Sequence, residues 1–298
     1  MSICRISGSE ATSPGFEVLE APALPTVIVP VHNARRELEA CLQSIYRNTA
    51  ATSQVLLLDD ASDDPLVLPL LRRWVDHAGP CWSLETWSLN RGFVGTANLG
   101  MKMVSGDVVL LNSDTLVTPG WLEGLHRCLA SDAAIATATP WTNNGEIASM
   151  PEFCKANPLP RDVDRLAAII STTGQPLYPE IPTAVGFCMA ISRSALDSLG
   201  MFDQDLFGLG YGEENDFSMR ARTAGLRNVL CDDVYVAHVG GRSFTPRGLY
   251  PDDGSMNRLL SRHPGYLQLI QQFISSDPLA GRRRELLAAL RNAGIEMG

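Results

Sequence analysis

The sequence predicts an α/β protein with a Rossmann-like, mostly parallel central sheet flanked by helices. Its first half alternates short apolar runs, rich in β-branched residues, with stretches whose apolar residues recur at helical spacing. The apolar runs lack a polar face, as expected for parallel strands that are covered on both sides. Strands that alternate with helices favour crossover connections, so we expect helices on both faces of one sheet.

The predicted elements follow a simple order along the chain. Strands are expected at 26–31, 55–58, 84–89, 108–111, 134–138 and 184–191, with strand-like runs at 229–230 and 234–237. Helices are expected at 34–47, after 65, and at 94–104, 119–130, 163–170, 194–199 and 214–224. We divide the chain into a flexible leader (1–24), an α/β domain (25–248) with an irregular, acceptor-side insertion (141–182), and a helical C-terminal extension (249–298).

Composition narrows the class of protein. The 298 residues are 45% hydrophobic and 19% charged, as in soluble globular proteins. A net charge of −9 argues against a nucleic-acid partner. The seven cysteines are dispersed without a CxxC pair, which predicts reduced thiols in the cytoplasm. We find no secretory signal, and no apolar run approaches the roughly 20 residues of a membrane span.

Polar clusters end three of the predicted strands. They are Pro30-Val31-His32-Asn33, Asp59-Asp60-Ala61-Ser62 and Asn112-Ser113-Asp114. Each cluster alone is explained by a turn or a helix cap. Because parallel strands bind ligands at their carboxyl ends, the three clusters together predict a nucleotide diphosphate site. Arg91, beside Gly92, or a metal on Asp114 could neutralise the phosphates.

The second half offers a candidate base. Glycines 208, 210 and 212 precede a helix start that carries Glu213, Glu214 and Asp216. Acids at a helix start often only complement the helix dipole, but the glycines favour a general base on a loop that approaches a ligand. His238 ends a strand and is either a buried structural histidine or, with Asp114, a ligand for Mn²⁺ or Mg²⁺.

Seven motifs in this order resemble the family 2 glycosyltransferases of GT-A fold. The motifs are Val27–Asn33, Leu58–Ser62, Asn90–Phe93 with Ala97–Gly100, Leu111–Thr115, Gly186–Met189, Tyr211–Glu214 and His238–Gly241. The resemblance covers roughly residues 26–245. It is greatest to bacterial enzymes of cell-surface polysaccharide synthesis, including rhamnosyltransferase-like members.

The resemblance implies a role for each matched position. Nucleotide and diphosphate binding is expected of Pro30, His32, Asn33, Asp59, Asp60, Asn90, Arg91, Gly92, Asn98, Asn112 and Ser113. The Asp-x-Asp metal motif has an amide at its first position, which leaves Asp114 as the principal carboxylate ligand, with His238 completing the site. The family's Glu-Asp pair falls on Glu213-Glu214. We assign the base to Glu214, with Glu213 and Asp216 as alternatives.

These roles predict a metal-dependent inverting hexosyltransferase. It would move a sugar from a UDP- or dTDP-linked donor to a hydroxyl of a glycan or lipid-linked glycan. We expect a cytoplasmic protein; peripheral contact with the inner face of the membrane and homo-oligomerisation stay open. The alternatives are a catalytically silent nucleotide-sugar-binding module and, more distantly, a phospho-acceptor signalling domain. The signalling domain is disfavoured because no partner lysine follows Asp114.

The C-terminal extension carries a basic segment with two interpretations. Arg282-Arg283-Arg284 followed by leucines 286, 287 and 290 could lie on an anionic membrane surface. The alternative, which we prefer, is a helix that packs on its own domain or on a partner subunit.

Overall fold

A seven-stranded sheet forms the centre of the computed structural model, which describes residues 24–208, 210–240, 253–295 and 297. The strands are β1 (Thr26–Val31), β2 (Val55–Asp59), β3 (Trp82–Thr86), β4 (Val108–Leu111), β5 (Thr115–Leu116), β6 (Ile135–Trp141), β7 (Cys188–Ile191), β8 (Arg227–Tyr235) and β9 (Ala237–His238). The large sheet has the order β3-β2-β1-β4-β7-β6-β8, and only β7 runs antiparallel to its neighbours. The predicted mostly parallel sheet is confirmed.

Helices cover both faces of this sheet. They are α1 (Arg35–Asn48), α2 (Val67–Ala78), α3 (Gly92–Met103), α4 (Trp121–Ala130), α5 (Val163–Thr172), α6 (Arg193–Leu199), α7 (Gln204–Phe207), α8 (Glu213–Thr223), α9 (Asp253–Arg262), α10 (Tyr266–Ser276) and α11 (Ala280–Asn292). Alternate residues of β1 point into the hydrophobic cores on the two faces of the sheet. Val27 and Val29 pack with α1, α2 and α4, and Ile28 packs with α3 and α8. At Gly100, a Cβ would lie 2.7 Å from Ile28, so this glycine allows α3 to approach the sheet closely.

Strands β5 and β9 form a second, two-stranded antiparallel sheet that the sequence did not predict. Thr115 pairs with His238 and Leu116 with Ala237. The Val239 N–H extends the pairing by donating to the Asp114 carbonyl at 3.0 Å. This small sheet joins the end of β4 to the end of β8.

Several predicted strand boundaries are wrong: the strand expected at 84–89 is Trp82–Thr86, and the one expected at 134–138 is Ile135–Trp141. Two further differences have identifiable reasons. The run 184–191 becomes a strand only at Cys188, because the N–H groups of Ala184 and Val185 donate to side chains rather than to a neighbouring strand. The runs 229–230 and 234–237 belong to one strand, β8, up to Tyr235. Asp232 and Asp233, which separate the two predicted runs, lie within this strand because both carboxylates form ion pairs with arginines.

The C-terminal extension is helical as predicted in the part that the structure describes, but it completes the cores of the α/β domain. Leu259 and Tyr266 pack in the same cluster as Phe217 of α8. Leu286 packs with Trp141, so α11 also covers the insertion 141–182. The predicted boundary at 248 and the leader up to residue 23 lie outside the described residues.

The basic segment of α11 faces the protein, so its placement on a membrane surface is wrong for two of the three arginines. The Arg282 side chain is 4% exposed, and its Nε lies 2.7 Å from Asp232 Oδ2. Arg283 forms an ion pair with Asp277. The preferred alternative, a helix packed on its own domain, describes this segment. None of the described helices is both long and apolar enough to span a bilayer.

Candidate active site

The side chains predicted at the ends of β1 and β2 meet around Asp60. Its carbonyl oxygen lies 2.9 Å from His32 Nδ1 and accepts a hydrogen bond from Asn90 Nδ2 at 3.2 Å. Its carboxylate accepts a hydrogen bond from the Arg91 backbone N–H at 2.7 Å. Since β1 and β2 run parallel, their carboxyl ends place these residues together. Four of the predicted nucleotide-site residues therefore form one cluster.

Asn33 and Asp59 shape the loops around this cluster. Asn33, with φ 61°, accepts hydrogen bonds at Oδ1 from the N–H groups of Asp63 and Asp64 at 2.8 and 3.0 Å. Asp59 Oδ1 accepts from the Ser62 N–H at 3.3 Å. These contacts fix the two strand-end turns against each other. Nucleotide binding by either side chain stays a prediction.

Arg91 presents a cation beside the Asp60 cluster. Its exposed guanidinium lies 5.9 Å from the centroid of the Trp87 ring and pairs with no carboxylate among the described residues. Gly92 opens α3 at φ 75°, a backbone conformation that favours glycine, and its N–H donates to Asn90 Oδ1 at 3.1 Å. Half-buried Pro30 lies opposite Leu58 in the sheet.

Asn98 has a structural role that the sequence did not predict. Its amide donates to the Phe202 carbonyl at 2.9 Å and accepts from the Phe202 N–H at 3.1 Å. The side chain is 8% exposed. These bonds attach α3 to the segment before α7, so the described contacts give no support to nucleotide binding by Asn98.

Asp114 and His238 are brought together by the β5–β9 pairing. Asp114 Oδ1 lies 3.4 Å from His238 Nε2, and the two side chains are 5% and 15% exposed. The predicted pair of metal ligands is therefore present as a contact between residues far apart in the sequence. Ser113, between Asn112 and Asp114, is buried. The Asn112 side chain forms no hydrogen bond with a described residue, whereas its backbone N–H donates to the Phe187 carbonyl at 2.9 Å.

Asn143 and Asn144, in the irregular insertion 141–182, hold His238. Asn143 Oδ1 accepts from the His238 N–H, and its Nδ2 donates to the His238 carbonyl, both at 2.9 Å. The Asn144 carbonyl lies 2.6 Å from His238 Nδ1. The Phe187 ring stacks on the imidazole, with a centroid distance of 5.3 Å. Gly240 lies so near Asn144 that a Cβ would fall 2.1 Å from its Nδ2.

This arrangement fits a divalent cation. A carbonyl only accepts, so Nδ1 of His238 carries the proton and the lone pair of Nε2 faces the Asp114 carboxylate. Two acceptors at this distance favour a positive charge between them, either a proton or a metal. Metal-binding histidines commonly donate their other N–H to a backbone carbonyl, as His238 does to Asn144.

The groups around His238 also favour a positive charge at this pair. Burial by itself lowers the pKa of His238, but the hydrogen bond and charge of Asp114 and the Asn144 carbonyl raise it above its ordinary value. The described residues hold no group of three or more His, Cys, Asp or Glu side chains placed for a metal. A cation here would have two protein ligands, and phosphate oxygens or water would have to supply the others.

The predicted glycine-rich loop leads into α8. Gly212 precedes the helix at φ 103°, and a Cβ there would lie 2.9 Å from the Phe207 ring. Tyr211 also has a positive φ, 73°, which is uncommon for a residue with a side chain. Gly210 lies beside Phe93 of α3, so the loop runs next to the Arg91 segment.

Glu213 and Glu214 begin α8 and have unusual pKa values. Burial raises the pKa of Glu214 to about 7, with a smaller contribution from the charge of Glu146. Burial and the charge of Glu214 raise the pKa of Glu213 well above its ordinary value. Glu213 is 5% exposed and its Oε2 has no hydrogen-bond partner among the residues that the structure describes, whereas Glu214 is half-buried. Glu214 is thus the more accessible of the two, and its pKa suits proton transfer near neutral pH.

Asp216, the third candidate base, is a structural residue. It is completely buried, and its Oδ2 accepts from Arg220 Nε at 2.8 Å. Its Oδ1 lies 3.2 Å from Arg262 Nη1 and 2.8 Å from His263 Nε2. A buried carboxylate with two oxygens occupied in this way cannot take a proton from an acceptor hydroxyl. These contacts argue against the alternative assignment of the base to Asp216.

Gly186 and Phe187 connect the two halves of the site. A Cβ at Gly186 would lie 3.8 Å from Glu214 Cγ, and the adjacent Phe187 ring stacks on His238. Glu146, which no sequence motif marks as a site residue, contributes a further carboxylate charge near Glu214. It has φ 48° and follows the Asn143-Asn144-Gly145 turn, the only local signal of its position.

Comparison with known proteins places the chain in a family. The family described as glycosyl transferase family 2 matches residues 26–200, more than half of the chain. The uncharacterized protein Rv1525 of Mycobacterium tuberculosis (strain ATCC 25618 / H37Rv) is 27% identical over 230 residues, 75% of this chain and 77% of that protein. The uncharacterized glycosyltransferase YwdF of Bacillus subtilis (strain 168) is 27% identical over 128 residues, 43% of this chain and 44% of that protein.

Solved structures show the same fold. The structure of GalNAc-T7 with UDP, GalNAc and Mn²⁺ is similar with a TM-score of 0.60 and 16% identity, over 86% of this chain and 58% of that chain. The mannosyltransferase PcManGT from Pyrobaculum calidifontis, in complex with GDP-Man and Mn²⁺, gives a TM-score of 0.54 and 19% identity, over 92% of this chain and 76% of that chain.

The family match is shorter than the predicted resemblance to residue 245. It contains Asp114 but ends before α8 and β9, which carry Glu214 and His238. With the mostly parallel sheet and its flanking helices, the match shows that the chain belongs to glycosyl transferase family 2 and is a transferase enzyme of GT-A fold.

Proposed function

We propose that this enzyme is a metal-dependent inverting glycosyltransferase. It moves a sugar from a nucleotide-diphosphate donor to a hydroxyl of a glycan or lipid-linked glycan. The observation that carries the proposal is the Asp114–His238 pair, which fits a cation. The Phe187 ring stacks on His238, and the residue before it, Gly186, lies beside Glu214. The site thus combines a place for a diphosphate-bound cation with a carboxylate that can accept a proton.

The nucleotide end of the donor would occupy the edge formed by β1, β2 and β4. Asp60 and the side chains around it are fixed in place by hydrogen bonds before any ligand binds. Arg91 supplies a guanidinium, without a carboxylate partner in the described part of the chain, for the diphosphate. Asn112 offers an amide in place of the first family carboxylate, so the charge at this motif comes from Asp114 alone.

Asp114 and His238 would hold Mn²⁺ or Mg²⁺ together with donor phosphate oxygens. Such a cation, when bound, stabilises the negative charge of the leaving nucleoside diphosphate. Because the protein offers two ligands in this pair, the metal should bind weakly without nucleotide. GalNAc-T7 and PcManGT, whose structures contain Mn²⁺ with a nucleotide or nucleotide sugar, support this assignment.

Glu214 would act as the general base. It takes the proton of the acceptor hydroxyl while that oxygen forms a bond to the anomeric carbon and the bond to the diphosphate oxygen breaks on the opposite face. The products are the inverted glycoside, the nucleoside diphosphate and protonated Glu214, which then releases its proton to solvent. A pKa of about 7 leaves much of the base ionised at neutral pH.

For the donor we propose a UDP- or dTDP-linked sugar, and for the pathway, cell-surface polysaccharide synthesis. We place the enzyme in the cytoplasm, with the acceptor presented at the inner face of the membrane. The motif resemblance and the dispersed cysteines support these proposals, and the six cysteines that the structure describes are free thiols.

A thermal-shift screen tests the donor class. UDP, dTDP and GDP, each with and without Mn²⁺, are added to the full chain and the melting temperature is recorded. We expect one nucleotide to raise the melting temperature only when Mn²⁺ is present, by several degrees at saturation, because a ligand that binds the folded state stabilises it. Mn²⁺ alone should have little effect. Equal shifts with and without Mn²⁺ would contradict the metal-dependent site.

The alternative is a catalytically silent nucleotide-sugar-binding module. The amide at Asn112, in place of the family's first acid, favours it. It would show the same Mn²⁺-dependent shift but neither donor hydrolysis nor transfer to any member of a broad acceptor panel. The raised pKa of Glu214 argues for the active enzyme, because a silent module has no use for a proton acceptor there.

A further inference from the structure

A short chain of hydrogen bonds joins Glu214 to the C-terminal extension. Asn215 Nδ2 donates to Glu214 Oε1 at 3.0 Å. The hydroxyl of Tyr266, the first residue of α10, donates to Asn215 Oδ1 at 3.0 Å. Tyr266 lies beyond the family match, which ends at residue 200. A residue of the extension is therefore connected to the candidate base through one amide.

Tyr266 is suited to act only as a donor in this chain. Its side chain is mostly buried, 7% exposed, in the core that the extension shares with α8. Burial, and then the charges of Glu214 and Glu146, raise the pKa of Tyr266, so its hydroxyl stays protonated. A donating hydroxyl needs an acceptor opposite it, and Oδ1 is the only acceptor on the Asn215 side chain. The tyrosine thereby selects one of the two orientations of the amide.

We propose that Tyr266 is a positioning residue that holds the Asn215 amide with its NH₂ group towards the Glu214 carboxylate. An N–H donor stabilises the ionised carboxylate over the neutral acid. If the amide turned over, its oxygen would face Glu214 and would stabilise the protonated acid instead. The inference depends on the proposed function, since it gives Tyr266 its importance through the base of that reaction.

The surroundings of Glu214 explain why this donor matters. Burial of Glu214 and the charge of Glu146, from the insertion, favour its protonated form. The neighbouring Glu213 of the same helix is itself protonated more readily because of burial and the charge of Glu214. Tyr266 is the ionisable group contributed by α10. The side-chain N–H of Asn215 and the backbone N–H groups at the start of α8 donate to Glu214 and favour its ionised form instead. Loss of the Asn215 donor would leave the base protonated at neutral pH.

The extension is held against α8 independently of Tyr266. Asp216 contacts both Arg262 and His263, the last residue of α9 and the one after it. The Tyr266 N–H donates to the His263 carbonyl at 3.0 Å, so the tyrosine begins α10 at a fixed distance from this anchor. Removal of the hydroxyl alone should therefore leave the packing of the extension intact.

The test is a direct titration of Glu214 by carboxyl NMR in protein labelled with ¹³C at the glutamate side chain. The Glu214 signal is assigned by its loss in Glu214→Gln. In Tyr266→Phe we expect the Glu214 midpoint to move up by about one pH unit, as for the loss of one hydrogen bond to a carboxylate. The matched control is Tyr235→Phe, because the buried Tyr235 hydroxyl has no hydrogen-bond partner among the described residues. An unchanged Glu214 midpoint in folded Tyr266→Phe overturns the proposal.

A double-mutant cycle separates positioning from a direct effect. Asn215→Leu should raise the midpoint in the same direction and also serves if Tyr266→Phe does not fold. If Tyr266 acts through Asn215, adding Tyr266→Phe to Asn215→Leu should produce no further shift. Additive shifts would contradict this route. The titration contains no donor, acceptor or metal, so a failed transfer assay cannot be mistaken for a failed inference.

Discussion

The Asp114–His238 pair and the Glu213–Glu214 pair differ in what each carboxylate faces. Asp114 faces an imidazole whose second nitrogen is held by the Asn144 carbonyl, an arrangement that attracts a positive charge. Glu214 neighbours a second carboxylate, Glu213, in buried surroundings that disfavour ionisation. Burial is common to both pairs, so the neighbouring charges separate them: an imidazole beside Asp114, and the carboxylates of Glu146 and Glu214 beside the two glutamates. A basic partner makes a cation site, and an acidic partner makes a proton acceptor with a raised pKa.

The two pairs also differ in how the chain assembles them. Glu213 and Glu214 are adjacent in sequence and need only the start of α8 to be placed together. Asp114 and His238 meet through the β5–β9 pairing, and Asn143 then fixes the His238 backbone. The cation site therefore depends on long-range contacts, whereas the acidic pair depends on a local turn.

The largest effect should come from removing the charge of the cation site. Asp114→Asn keeps the shape of the side chain but loses the carboxylate. We expect transfer and donor hydrolysis to fall by about 1000-fold or more, since a bound metal supplies several kcal/mol of charge stabilisation. The Mn²⁺-dependent thermal shift with nucleotide should disappear as well. Activity is measured by nucleoside diphosphate release.

Asp132→Asn is the matched control for this change. Asp132 pairs with Arg227 at the opposite end of β6, and its carboxylate should be irrelevant to the donor. Retention of the Mn²⁺-dependent shift in Asp114→Asn would show that the cation binds elsewhere, and the contrast between the two pairs would be lost.

The second prediction concerns the proton acceptor. Glu214→Gln should lower transfer by about 100- to 1000-fold, a typical contribution of a general base. Donor affinity and its Mn²⁺ dependence should stay close to those of the unchanged protein, because the cation pair is intact. Isothermal titration with the donor and a transfer assay make the comparison, with the surface residue change Glu180→Gln as control. Full transfer activity in Glu214→Gln would remove this residue from the mechanism.

The smallest effect is on stability. Both glutamates have folded-state pKa values above the ordinary 4.5, so the folded protein holds protons that the unfolded chain releases. Their contribution to stability is therefore complete below pH 4.5 and is lost as the pH rises through their folded values, about 7 for Glu214. Glu213→Gln abolishes part of this loss and should be more stable than the unchanged protein by about 1–2 kcal/mol at pH 8.

Denaturant unfolding at pH 5 and pH 8 checks this prediction. The advantage of Glu213→Gln should be smaller at pH 5, where the native pair is largely protonated. Glu180→Gln, at a surface ion pair with Arg222, should show no comparable dependence on pH. An advantage of Glu213→Gln that is equal at both pH values would mean that its pKa is not raised by its neighbours.

Much of the fold was predictable because its signals are local. Buried runs such as Val108–Leu111 have no polar face, and the apolar spacing of α1 is that of a helix. The glycine loop and the two glutamates were also visible as a continuous motif. The predictions failed where a strand carries buried acids, at Asp232 and Asp233, because the arginines that pair with them lie far away in sequence.

The sequence by itself determined the parallel sheet, the polar strand ends and the candidate residues, since each depends on neighbours within a few positions. The tertiary structure alone decided their roles. It placed Asp114 against His238 and paired Asp216 with Arg262 and His263. It also brought Tyr266 into a hydrogen bond with Asn215, the neighbour of Glu214. The physical reason is that a carboxylate's charge and function depend on the groups that surround it in space, which only the folded chain brings together.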